Sequence, residues 1–167
     1  MDVVDGFIEP TKFYEEYVKP GRPLLFKGAA QNLPAYQLWT DSYLQQKHGD
    51  LQVQVETMKK EDRAQDVLFM SMQEFLEQYN RRDIFMVHDA PNELHEEVGV
   101  PKPFLCGGFQ DNLQTCIIWF SSGGTRSVLH SDDLDNINCL LDGEKDFVMI
   151  DRAYKEDMEA DGFVTNG

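Results

Sequence analysis

Hydrophobic positions along this chain follow helical spacing mixed with short alternating runs before Gln114, and strand-like runs after it. Phe13, Tyr14 and Tyr17 fall on one face of a helix over Glu9–Tyr17, with Pro10 suited to its first turn and Pro20-Gly21 to its end. Pro23–Gly28 is a short apolar run between turn residues, a predicted strand. Tyr36–His48 predicts a second helix with Leu38, Trp39, Tyr43 and Leu44 as its stripe and Gly49 as its stop. Leu51–Val55 alternates as a half-buried strand, and the charged stretch Lys59–Asp66 predicts a loop. Ser71-Met72-Gln73-Glu74 is a capping box opening a helix over Met72–Tyr79. Asp83–His88 contains a strand that Asp89-Ala90-Pro91-Asn92 breaks. A short acidic helix then runs to Val98, and Pro101-Lys102-Pro103 forces an extended connection.

After Gln114 the pattern predicts a strand over Thr115–Phe120, a turn over Ser121–Thr125 and an extended Arg126–His130. Asn136–Leu141 and Lys145–Ile150 flank Asp142-Gly143, a two-residue hairpin signal. That register pairs Leu140 with Lys145. Asn136, Asn138, Leu140, Lys145, Phe147 and Met149 then share one face, and Ile137, Cys139, Leu141, Val148 and Ile150 the other. The first face either lines a barrel, where Lys145 needs a partner such as a bound carboxylate, or is the solvent side of an open sheet. Helices early and antiparallel strands late predict an α+β fold. The 167 residues are one domain's worth: an N-terminal helical and strand region over 1–110, barrel-type strands over 111–151, and an acidic loop over 152–167.

Composition narrows the function classes. Hydrophobic residues make up 41% and charged residues 27%, ordinary for a globular protein. No apolar run is long enough to span a membrane, and the N-terminus lacks the parts of a signal peptide, which predicts either a cytoplasmic or nuclear protein or one whose leader is not part of this sequence. The net charge of −15 disfavours nucleic acid and favours a basic peptide or cationic substrate, although acidity alone also serves solubility. Cys106, Cys116 and Cys139 show no C-x-x-C spacing; Cys116 and Cys139 lie in apolar runs as small core residues, and no disulfide framework is predicted.

The candidate chemistry lies in Ser127–Phe147. In extended chain, residues two apart share a face, so His130 and Asp132 can grip one cation with Ser131 turned away. The histidine is followed by Asn136 six residues on, the Asp-Gly turn, and Lys145 fifteen residues on. With Arg22-Pro23-Leu24-Leu25-Phe26-Lys27-Gly28, Asp83–Val87 and Trp119-Phe120, this arrangement resembles the JmjC (jumonji-C), or cupin-like, family of iron(II)- and 2-oxoglutarate-dependent oxygenases, particularly its small protein hydroxylases.

The resemblance implies helices packed on a double-stranded β-helix, a jelly-roll barrel. It implies an Fe(II) site in which His130 and Asp132 are two of three ligands, with 2-oxoglutarate as co-substrate. Lys145 and Ser127 would contact the distal carboxylate of 2-oxoglutarate, and Asn136 would lie near the co-substrate. The implied reaction couples oxidative decarboxylation of 2-oxoglutarate to hydroxylation of a C–H bond, in a protein side chain or peptide. The family's third ligand is a histidine downstream of the lysine, and His48, His88 and His95 all precede the motif. Met86 stands where some relatives have a tyrosine that contacts the co-substrate. The expectation is therefore a barrel whose C-terminal strands are missing and an iron site competent only with the missing part. The alternatives are a non-catalytic cupin-like binding or scaffold protein and a metal cupin of other chemistry, the latter leaving Lys145 unexplained.

Overall fold

A four-stranded antiparallel sheet in the order β4-β3-β5-β6 forms the middle of the molecule. Its strands are β3 (Gln52–Thr57), β4 (Val67–Ser71), β5 (Ile84–Asp89) and β6 (Ile117–Phe120). The computed structural model describes residues 1–58, 67–105, 107–162 and 165–166; the predicted loop Lys59–Asp66 and Cys106 lie outside the described residues.

Two helices cover one face of this sheet: α3 (Asp41–His48) and α4 (Met72–Gln78). Val53 and Val55 of β3 and Ile84 and Met86 of β5 alternate onto that face, where they bury against Leu44, Met72, Phe75, Leu76 and Tyr79. The capping box is present: Ser71 Oγ accepts from the Glu74 N–H at 3.1 Å, and the Glu74 carboxylate accepts from the Ser71 N–H at 2.8 Å. These bonds fix where the chain turns from β4 into α4 and hold the Glu74 carboxyl below its ordinary range.

The predicted helix Tyr36–His48 is two helices, α2 (Pro34–Leu38) and α3. Trp39 is extended at the break, and Thr40 caps α3 by accepting from the Tyr43 N–H at 3.2 Å. A helix over Glu9–Tyr17 is present as α1 (Pro10–Phe13), continued by a π-helical turn over Tyr14–Val18. The predicted strand at Pro23–Gly28 is β2 (Leu24–Lys27), and it pairs in parallel with β1 (Asp2–Asp5). Gly28 leaves β2 with φ 69°, a left-handed conformation that glycine adopts without strain. Phe7, Phe13, Phe26, Phe104 and Phe109 form a second aromatic cluster here, with ring centroids 5.3–6.4 Å apart. The acidic helix is α5 (Asn92–Val98), and the connection expected to be extended is instead a 3-10 turn over Lys102–Phe104.

The predicted hairpin departs from expectation. Asp142-Gly143 is a bend with Gly143 at φ 78°, but neither Asn136–Leu141 nor Lys145–Ile150 joins a strand ladder. Leu140, Phe147, Val148, Met149 and Ile150 are exposed, so no buried face supports the pairing. Two strands without such a face are marginal in water. The acidic stretch after the hairpin, expected as a loop, holds a 3-10 turn over Arg152–Tyr154 and α6 (Lys155–Ala160). Past α6 the backbone returns as β8 (Thr165–Asn166), parallel to β7 (His130–Ser131). The architecture is α+β with an antiparallel sheet. No helix among the described residues is long and apolar enough to cross a membrane.

Candidate metal centre

The extended backbone at β7 puts His130 and Asp132 on one side, as period-two geometry requires. His130 Nδ1 lies 2.7 Å from the Val128 carbonyl oxygen. A carbonyl only accepts, so Nδ1 is the donor in this contact, which leaves Nε2 as the ring nitrogen able to offer a lone pair to a metal. Nε2 sits 3.6 Å from Asp132 Oδ1. The other carboxylate oxygen, Oδ2, accepts from Asn136 Nδ2 at 2.8 Å. Each ligand-type atom is thus oriented from behind, the arrangement that fixes metal-binding histidines and carboxylates. The pair is open to solvent, with side-chain exposures of 27% for His130 and 48% for Asp132.

These donors suit a divalent cation such as Fe(II), which takes imidazole nitrogen and carboxylate oxygen together. No third histidine, cysteine, aspartate or glutamate gathers with them among the described residues. His48 is buried against Glu97, His95 is exposed on α5, and His88 is half-buried on β5 with an unpartnered Nδ1.

Lys145 lies against the sheet. Its Nζ is 5.3 Å from the centroid of the Trp119 ring and 5.1 Å from that of Phe147. Trp119 pairs with Val87 in the β5–β6 ladder, and its ring stacks on Phe85 at 6.1 Å. Phe85, Val87 and Trp119 occupy the sheet face opposite the helices. Met86 points the other way, into the core at 1% exposure, so it stands on the wrong face to contact a co-substrate beside Lys145. Ser127 is exposed and makes no hydrogen bond to Lys145 or Asn136 among the described residues. The structure therefore brings together His130, Asp132 and Asn136, holds Lys145 on an aromatic platform, and shows Ser127 exposed with no hydrogen bond to them among the described residues. The contacts of Lys145 with Trp119 and Phe147 were not expected from the sequence; the signal available was the two-residue spacing of Lys145 and Phe147.

A second polar cluster was also missed. Glu97 on α5 is 7% exposed and accepts from Trp39 Nε1 at 2.8 Å, Tyr43 OH at 2.7 Å and Lys47 Nζ at 2.6 Å, with His48 Nε2 at 3.2 Å. Burial pushes its carboxyl up, but the four donors outweigh burial and hold it at about 2. Cys116 is exposed and Cys139 half-buried, so neither is the core residue expected, and partial desolvation raises both thiols. Two clefts lie elsewhere, one lined in part by Phe7, Leu33 and Val100 and the other by Lys47, His48 and Glu96; neither is lined by His130 or Lys145.

Comparison with known proteins adds the family. The model of the cupin-like domain matches residues 10–161. JmjC domain-containing protein E of Dictyostelium discoideum is 23% identical over 98% of this chain and 58% of its own length. Lysine-specific demethylase 8 of Xenopus tropicalis is 26% identical over 80% of this chain and 32% of its own. Lysine-specific demethylase JMJ30 of Arabidopsis thaliana is 28% identical over 80% of this chain and 33% of its own. The chain thus spans between 32% and 58% of the length of these relatives. With the matched span running from α1 through His130 and Asp132 to α6, the chain belongs to the JmjC/cupin-like domain family.

Proposed function

We propose that this chain carries the co-substrate anchor and two of the three metal ligands of an Fe(II)- and 2-oxoglutarate-dependent oxygenase that hydroxylates a protein side chain. One observation carries the reading: His130 Nε2 and Asp132 Oδ1 face each other at 3.6 Å, each oriented from behind by a hydrogen bond. JmjC domains are in general Fe(II)- and 2-oxoglutarate-dependent. Bound iron supplies oxygen activation coupled to decarboxylation of the 2-oxo acid. His130 holds its proton on Nδ1, away from the metal side, and Asn136 keeps Asp132 turned toward that side. Lys145 offers a point charge to the distal carboxylate of 2-oxoglutarate, and Ser127 a hydroxyl to the same group. The third ligand is a residue that the described structure does not bring to this pair.

The net charge of −15 favours a basic peptide as substrate, and two of the relatives carry names that specify lysine. The test is anaerobic titration of Mn(II), as a stand-in for Fe(II), into the chain, followed by Fe(II), oxygen and 2-oxoglutarate with succinate detection. Stronger Mn(II) binding by the parent than by His130→Ala and Asp132→Ala supports the site. Equal binding by all three overturns it. Metal binding that 2-oxoglutarate does not strengthen favours the rival reading, a non-catalytic cupin-like binding protein. That reading has its own support, in that only two ligands of a triad gather here among the described residues.

A further inference from the structure

The chain carries 30 acidic residues against 15 lysines and arginines, and four of its described lysines are paired with glutamates. Lys19, Lys47, Lys102 and Lys155 each lie within 4 Å of a glutamate. Lys145, like Lys12 and Lys27, has no such partner among the described residues, although Glu144 and Asp146 flank it in sequence. Among the described residues its ammonium has no ion pair or hydrogen bond, and it sits instead over the faces of Trp119 and Phe147. Trp119 is backed by Phe85, which is 2% exposed, so one wall of this cradle is anchored in the sheet.

An aromatic face attracts an ammonium through its quadrupole but accepts little of its hydrogen-bonding capacity. The cation is held in place with its charge uncompensated and its N–H donors free. A glutamate at either ring position would form an ion pair that an incoming carboxylate would first have to displace. The geometry points to Trp119 and Phe147 as positioning residues for the co-substrate, an aromatic cradle that presents Lys145 to the distal carboxylate of a 2-oxo diacid. This inference rests on the proposed role of Lys145.

The experiment uses the full chain with Mn(II), titrated with 2-oxoglutarate and, separately, with pyruvate, which lacks the distal carboxylate. Binding is read by calorimetry and by the NMR signal of the Lys145 ε-methylene, which ring currents shift upfield. Trp119→Leu and Phe147→Leu should each move that signal downfield, and combined they should weaken 2-oxoglutarate by about fivefold, pyruvate being unaffected. Trp119→Phe should retain most of the affinity. Phe147 is 54% exposed, so its variant folds even where Trp119→Leu does not. If Lys145→Ala weakens 2-oxoglutarate while the leucine variants bind like the parent, the cradle alone is overturned. If Lys145→Ala leaves 2-oxoglutarate binding unchanged, or the parent does not bind it, the functional reading falls and the cradle with it.

Discussion

Replacing Glu97 with glutamine tests whether one buried charge fastens α5 to α3. The carboxylate lies on α5, while Tyr43, Lys47 and His48 lie on α3 and Trp39 just before it. A displacement from the ordinary 4.5 to about 2, at about 1.4 kcal/mol per pH unit, bounds the contribution at roughly 3 kcal/mol. Lys47 is 55% exposed, so solvent screens the strongest partner and about 2 kcal/mol is the working figure. The folded carboxyl ionises more readily than the unfolded one. Its contribution is therefore complete above about pH 4.5 and fades as pH falls toward about 2. Urea unfolding of parent and Glu97→Gln, followed by tryptophan fluorescence, should show a gap of about 2 kcal/mol at neutral pH, or roughly 4–8 °C in Tm. That gap should close on acidification. A variant within about 0.5 kcal/mol of the parent at neutral pH, or a gap that persists unchanged to about pH 3, would refute the reasoning.

Three further outcomes are expected. Phe75 is 0% exposed and its ring meets those of Tyr79 and Phe120, so Phe75→Ala should lower unfolding free energy by about 3–5 kcal/mol in urea. Ser71→Ala removes the hydroxyl that caps α4 and should cost about 1 kcal/mol by the same measurement. Asn136→Ala frees Asp132 to rotate, and should weaken Mn(II) binding by roughly tenfold while leaving Tm within about 1 °C of the parent, since Asn136 is exposed.

What could be read from sequence was what short-range physics decides. The capping box at Ser71 and the alternation through Val53 and Val55 depend on neighbours a few residues away, and both are present. The adjacency of His130 and Asp132 follows from the two-residue period of extended chain, and it too is present. The hairpin after Asn136 failed for a non-local reason, since its turn is compatible with a ladder but no layer buries its apolar side chains. Trp39 breaks the expected long helix because Thr40 caps a new one and the Trp39 indole is drawn to Glu97, far along the chain. The cradle of Lys145 depends on which parity of β5 and β6 faces the helices. Met86 and Phe120 go inward only because Val55 and α4 lie there.

The same charge field acts in opposite directions on the two proposed partners of the site. At −15 the molecule attracts a divalent cation toward His130 and Asp132 and repels a dianion such as 2-oxoglutarate. In the proposed site, a lysine held over aromatic rings with no direct ion pair among the described residues offers the diacid a contact charge against that field, which a paired lysine would offer less readily. The Debye length is about 8 Å near physiological ionic strength, so salt removes the long-range field while leaving a direct contact with Lys145 less affected. Raising salt from about 20 mM to about 200 mM should therefore weaken Mn(II) binding severalfold and leave the affinity for 2-oxoglutarate unchanged or improved. In Lys145→Ala the diacid should bind weakly at low salt and gain proportionally more as salt rises. Parallel losses for both partners would show that the field is too diffuse to matter, and that short-range contacts alone set both affinities.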